Sequence, residues 1–237
     1  MTNKKLFISI TGTTCVGKST LLKALKQSNE DQIIIIPQIT CRQPRTDDDP
    51  NCFVYVNNIN PDDMFIHNND LSYGISKQSI EDFMNSNYKI AVAINGTDEI
   101  EMLKKQKANM PNIKFKNILL TFSNNYDKEI ISLEKQLIKH FDKENAAKRF
   151  NFFKTHIKNK LLNPDSIKNN IDLHLTREAS IPYWCLKIAQ LSGVALQKLI
   201  KNLQTLISAG SKQRKYINPK VSYGINQIIL ALKGNTK

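Results

Sequence analysis

Gly12-Thr13-Thr14-Cys15-Val16-Gly17-Lys18-Ser19 reads G-x-x-x-x-G-K-[ST], the pattern of a phosphate-binding loop. Ahead of it, Leu6-Phe7-Ile8-Ser9-Ile10 is short, apolar and β-branched, which predicts a buried strand. Behind it, Ser19 to Lys26 places Leu21, Leu22 and Leu25 at helical spacing. Strand, glycine loop and helix is the context the motif needs. Its glycines let backbone N–H groups converge on phosphate oxygens, and the helix N-terminus adds the positive end of its dipole. The reading assigns Gly12, Thr13, Thr14, Cys15, Val16, Gly17, Lys18, Ser19 and Thr20 to the phosphates of ATP. Within that set Lys18 reaches the β- and γ-phosphates, and Ser19 holds Mg²⁺.

Outward from the loop, further strands are predicted over Gln32–Ile36, Tyr88–Ile94, Asn117–Phe122 and Ile171–Leu175. Helices are predicted over Ser19–Gln27, Lys77–Asn85, Asp98–Lys107, Asp127–Ile138 and Glu144–Leu161. This alternation predicts an α/β fold, a parallel sheet covered by helices on both faces. Residues 37–76 interrupt the rhythm with Pro37, Pro44, Pro50 and Pro61 among many Asn and Asp. They read as an acceptor-binding insertion with little regular helix. The expected organisation is a kinase-like domain over 1–181, with a lid region about 135–160, and a helical extension over 182–237.

Composition bounds the class. The chain has 237 residues, 41% of them hydrophobic, enough for a sizeable core. No apolar run approaches the roughly 18–20 residues of a membrane span, and Leu6–Ile10 is too short for a secretory signal, so a cytoplasmic protein is expected. Cys15, Cys41, Cys52 and Cys185 lack metal-ligand or C-x-x-C spacing and read as free thiols. Cys15, inside the loop, is a site where alkylation would block a nucleotide.

A phosphate loop alone does not separate a kinase from a hydrolase. Thr40-Cys41-Arg42-Gln43-Pro44-Arg45 places two planar guanidinium groups around a stiff turn, which suits a phosphomonoester. Tyr73-Gly74-Ile75-Ser76 follows, with a hydroxyl for phosphate in Tyr73 and a helix cap in Ser76. Asp47 and Asp48 lie in the turn between, where they can aid the acceptor or a metal or face solvent. In order and spacing these segments resemble the guanylate kinase-like branch of the nucleoside monophosphate kinases over roughly residues 5–100. That resemblance implies an ATP-dependent phosphotransferase in which Arg42, Arg45, Tyr73, Ser76 and Asn95 bind a small phosphorylated acceptor. It also implies that a mobile basic lid stabilises the transferring phosphoryl group. Lys135, Lys139, Lys143, Lys148 and Arg149 are lid candidates, and the planar, permanent cation Arg149 joins Lys18 and Arg42 as expected catalytic residues.

The chain departs from that branch where its members carry D-x-D at the end of a strand. Ala93 and Asn95 stand at the two acidic positions, and Phe53 stands where the branch has a tyrosine. The run Ile94-Asn95-Gly96-Thr97 is also similar to ribose 1,5-bisphosphate phosphokinase, whose acceptor is a sugar phosphate. Three readings follow: a nucleoside monophosphate kinase, a sugar-phosphate kinase, and a nucleotide-binding module that has lost transfer activity. Residues 182–237 carry nine Lys or Arg and no acidic residue, within a formal net charge of +13. Such a segment can bind nucleic acid or an acidic protein, or it can cap the core with a solvated basic face.

Overall fold

The computed structural model describes residues 4–28, 32–44, 48, 52–59, 64–68, 72–95, 110, 112–156, 171–177 and 188. The helix expected at Asp98–Lys107, Arg45, the end of the lid region and the extension other than Ile188 lie outside the described residues.

Strand β1 (Lys5–Gly12) leads through the glycine loop into helix α1 (Lys18–Ser28). Then come β2 (Ile33–Ile35), β3 (Gln38–Thr40), β4 (Phe53–Tyr55), β5 (Met64–Asn68) and β6 (Ser72–Ile75). Helix α2 (Lys77–Asn85), β7 (Ile90–Ile94), β8 (Ile113–Thr121), α3 (Tyr126–His140), α4 (Lys143–His156) and β9 (Leu173–Thr176) follow. Among the described residues the main sheet has five strands in the order β2-β7-β1-β8-β9, and every pairing in it is parallel.

Alternation along β1 explains why the sheet is covered twice, since successive side chains point to opposite faces. Leu6, Ile8 and Ile10 join Leu21, Leu22 and Leu25 of α1 and Leu133 and Leu137 of α3 in one core. Phe7 joins Ala91, Ala93, Ile75, Ile80 and Phe83 in the other. Phe7, Leu21 and Phe83 are wholly buried, and each such side chain contributes roughly 1.5–3 kcal/mol. Ile188 is packed in the first core, so the extension touches the domain there.

The segment read as an insertion is built from strands. A second sheet runs β4-β3-β6-β5, with β3 parallel to β4 and antiparallel to β6. Its pairing sets Thr40 beside both Tyr55 and Tyr73. Two stretches far apart in sequence thereby meet beside the main sheet, because Ile36 and Ile75 share the second core.

Candidate functional site

The parallel register brings four chain reversals to one edge. Gly12, Asn95, Ser123 and Arg177 all stand just beyond or at the carboxyl ends of β1, β7, β8 and β9. Ligands of open α/β sheets bind outside such ends. At Gly12, φ is +149° and an added Cβ would sit 2.1 Å from the Leu120 carbonyl oxygen, so only glycine fits there. The Gly12–Ser19 loop therefore starts wedged against β8. It turns through Cys15 at φ 59°, a left-handed value that a side chain resists, and Gly17 at φ 110°.

Lys18 folds back over the loop. Its Nζ donates to the carbonyls of Gly12 at 2.9 Å and Thr13 at 2.7 Å. Burial lowers its pKa to about 8, partly offset by the neighbouring Cys15 thiol. Beneath the loop, Thr13 Oγ1 donates to Glu129 Oε1 at 3.1 Å, and the Ser123 amide donates to Glu129 Oε2 at 2.8 Å. Glu129 is fully buried in α3. That burial raises its pKa, against the lowering effect of the bonds from Ser123 and Thr13. Sequence reasoning missed Glu129, because an acid on a helix reads as a solvated face.

Arg177 was missed as well. Its amide donates to the Thr121 carbonyl at 2.8 Å, its guanidinium lies 5.4 Å from the centre of the Phe122 ring, and its Nη1 donates to the Cys15 carbonyl at 3.2 Å. The signal that could have found it was a cation placed directly after the last strand.

On the second sheet Arg42 is nearly buried, 6% exposed, at the end of β3. Its Nη1 donates to the Gln43 carbonyl at 3.0 Å and Asp48 Oδ2 at 2.7 Å, and its Nη2 to Asp48 Oδ1 at 2.6 Å. The guanidinium lies 4.6 Å from the Phe53 ring centre and 5.5 Å from that of Tyr55. Burial opposes its charge, but Asp48, Tyr73 and Tyr55 outweigh that and hold its pKa above the ordinary value. A guanidinium has five N–H donors, and the Gln43 carbonyl and Asp48 take three of them, all from Nη1 and Nη2.

Phe53 gives Arg42 a ring face, as an apolar side chain can. The hydroxyl that Phe53 lacks enters two residues later on the same strand face, where Tyr55 donates to Asp48. Tyr73 is brought near Arg42, and Ser76 caps α2 by accepting from the Ser79 amide at 3.4 Å.

Asn95, 2% exposed, donates through Nδ2 to Ser9 Oγ at 2.8 Å. Thr11, on the same face of β1 as Ser9, has a buried hydroxyl with no hydrogen-bond partner among the described residues. Ala93 lies in the apolar core, so this edge holds neutral polar groups where an acidic pair was the alternative. Arg149 stacks on Phe141, 4.4 Å from the ring centre, at the junction of α3 and α4. Among the described residues no group of three His, Cys, Asp or Glu side chains could hold a metal, and no helix is long and apolar enough to cross a membrane.

No protein-family model matches the chain, and no curated protein matches it. Solved structures do. A guanylate kinase from Anaplasma phagocytophilum aligns at 12% identity and a TM-score of 0.49, over 84% of this chain and 95% of that one. A fungal RNA kinase aligns at 11% identity and a TM-score of 0.35, over 96% and 97% of the two chains. These likenesses concern the arrangement of the chain and carry no argument about its chemistry.

Proposed function

We propose that the protein transfers the γ-phosphoryl group of ATP to a small phosphorylated acceptor, with nucleoside monophosphates the first class to test. The loop supports this most directly. Lys18 and the amides between Gly12 and Thr20 gather at one strand end, with the helix dipole of α1 behind them. On ATP binding Lys18 leaves the Gly12 and Thr13 carbonyls for phosphate oxygens.

The Nε–Nη2 edge of Arg42, which Asp48 and Gln43 do not span, takes the acceptor phosphate side-on, while Asp48 keeps the Nη1–Nη2 edge. Tyr73 completes that grip from the neighbouring strand, and Arg45, outside the described residues, is the second arginine that the sequence motif offers. An oxygen of the acceptor then bonds to the γ-phosphorus as the bridge to ADP breaks. Positioning and charge neutralisation supply most of such catalysis. Arg149 is the cation that a closing lid would add.

Mg²⁺ fits in one limited way. No carboxylate cluster awaits it among the described residues, so Ser19 would be its protein ligand and phosphate oxygens and water the rest. When bound it neutralises phosphate charge.

A second reading is favoured by the neutral edge at Ser9, Thr11 and Asn95. A carboxylate there would bond the N–H donors of guanine, and its absence would leave them unpaired at a cost of selectivity. Hydroxyl and amide groups instead suit the hydroxyls of a sugar phosphate.

The test is ADP release measured over a panel of nucleoside monophosphates and pentose phosphates, with Lys18→Ala as control. Turnover on one acceptor that is lost in Lys18→Ala upholds phosphoryl transfer, and the acceptor's class decides between the readings. ATP binding without turnover on any acceptor rejects it in favour of a binding module. The basic segment 182–237 would then be tested on nucleic acid at low and high salt.

A further inference from the structure

We infer that Arg177 is a positioning residue for the donor nucleotide, acting through the peptide bond between Cys15 and Val16. This rests on the reading of the Gly12–Ser19 loop as the ATP site. Three contacts fix Arg177. Its amide is tied to the Thr121 carbonyl at 2.8 Å, its guanidinium is braced 5.4 Å over the Phe122 ring, and Nη1 donates to the Cys15 carbonyl at 3.2 Å. The side chain reaches the loop from the end of β9, the last described strand of the sheet.

The chain contains no cis peptide bond among the described residues. In a trans peptide the C=O and the following N–H point in opposite directions. A Cys15 carbonyl drawn outward to Arg177 therefore turns the Val16 N–H to the other side of the loop, where the phosphates would lie. Cys15 itself holds φ at 59°, a left-handed value that sets the chain entering this peptide and leaves its own rotation to ψ of Cys15 and φ of Val16. Without the Arg177 donor this peptide can rotate, through ψ of Cys15 and φ of Val16, and take the N–H out of the cradle. A charged donor on that carbonyl opposes the rotation. Arg177 is exposed, so the contact belongs to the loop and adds little to the core.

The experiment compares wild type, Arg177→Ala and Arg177→Lys in ATP affinity by calorimetry and in ¹H–¹⁵N spectra with and without ATP. In wild type the Val16 amide proton moves downfield as phosphate arrives. In Arg177→Ala that shift is lost, ATP binds about tenfold more weakly, and the melting temperature is unchanged. Arg177→Lys, which keeps one donor, recovers part of both. In turnover, KM for ATP rises and kcat stays within twofold. A Val16 shift and an ATP affinity in Arg177→Ala equal to those of wild type would overturn the inference. So would weakened ATP binding with the Val16 shift intact, since Arg177 would then act on the nucleotide by charge alone. Wild type that binds no ATP rejects the nucleotide site itself, a result separable from both.

Discussion

Asp48 holds Arg42 by both carboxylate oxygens, at 2.6 and 2.7 Å, and Tyr55 donates to the same carboxylate. The pair is sunk in the protein, with side-chain exposures of 4% for Arg42 and 13% for Asp48. Buried pairs of this kind contribute little net stability compared with an apolar pair, yet removing one member strands the other.

Asp48→Ala should accordingly cost about 3–5 kcal/mol, read from urea unfolding. If Asp48 orients Arg42 for the acceptor, Asp48→Asn raises KM for the acceptor at least tenfold and leaves KM for ATP unchanged. Asp48→Asn that binds the acceptor more tightly would mean that Asp48 competes for Arg42 instead. Tyr55→Phe loses one hydrogen bond to the carboxylate and should move acceptor KM in the same direction by less.

Lys18 gives a pH signature. Its pKa of about 8 lies below the ordinary lysine value of 10.5, so between the two the unfolded chain binds more protons than the folded one. Its contribution to stability therefore rises with pH across that window and is lost as pH falls through about 8. Nucleotide affinity should run the other way. Titrations of ATP from pH 7 to 10 should show binding weaken above about 8, where the free protein loses the ammonium charge. Lys18→Met should bind weakly with no such limb.

Glu129 has the opposite linkage. Its pKa is raised by burial, so the folded protein holds this proton more tightly, and the group's contribution to stability falls as pH rises past its ordinary value. Glu129→Gln can still accept from the Ser123 amide and can donate to Thr13, whose hydroxyl is able to accept. It should fold as well as wild type at neutral pH and lose that pH dependence. Glu129→Ala removes the acceptor of the buried Ser123 amide and should cost about 1–3 kcal/mol in chemical denaturation.

Cysteine labelling tests which thiol belongs to the site. Cys15 and Cys41 are partly exposed and Cys52 is buried. N-Ethylmaleimide should modify the first two, and modification of Cys15 should abolish ATP binding. Saturating ATP should protect Cys15 and leave Cys41 labelling unchanged, as peptide mass spectrometry would report.

The sheet was legible in the sequence because its strands are short segments rich in Ile, Leu and Val. Ile90–Ile94 and Leu173–Thr176 lie within one or two residues of the expected spans, and α2 at Lys77–Asn85 matches the expected helix. The small sheet was not legible. Its strands β3 and β4 have three residues each, too few for a periodic signal, and their order depends on partners distant in the chain. Site residues divide in the same way. Lys18, Arg42 and Tyr73 stand in short motifs, whereas Glu129 and Arg177 act on the loop from 116 and 162 residues away. Only topology could bring them there.

Gly12 sits against Leu120, Thr13 hangs from Glu129, and the Cys15 carbonyl meets Arg177. The eight-residue motif is thus written early in the chain but finished late. A chain emerging from the ribosome carries the full loop sequence long before it carries the walls that shape it. Nucleotide capture by a nascent or truncated chain ending at Asn95 should fail, and it should reach full affinity only once Arg177 has cleared the exit tunnel. Nucleotide affinity measured along a truncation series would then report how much of the wall around the loop has been made.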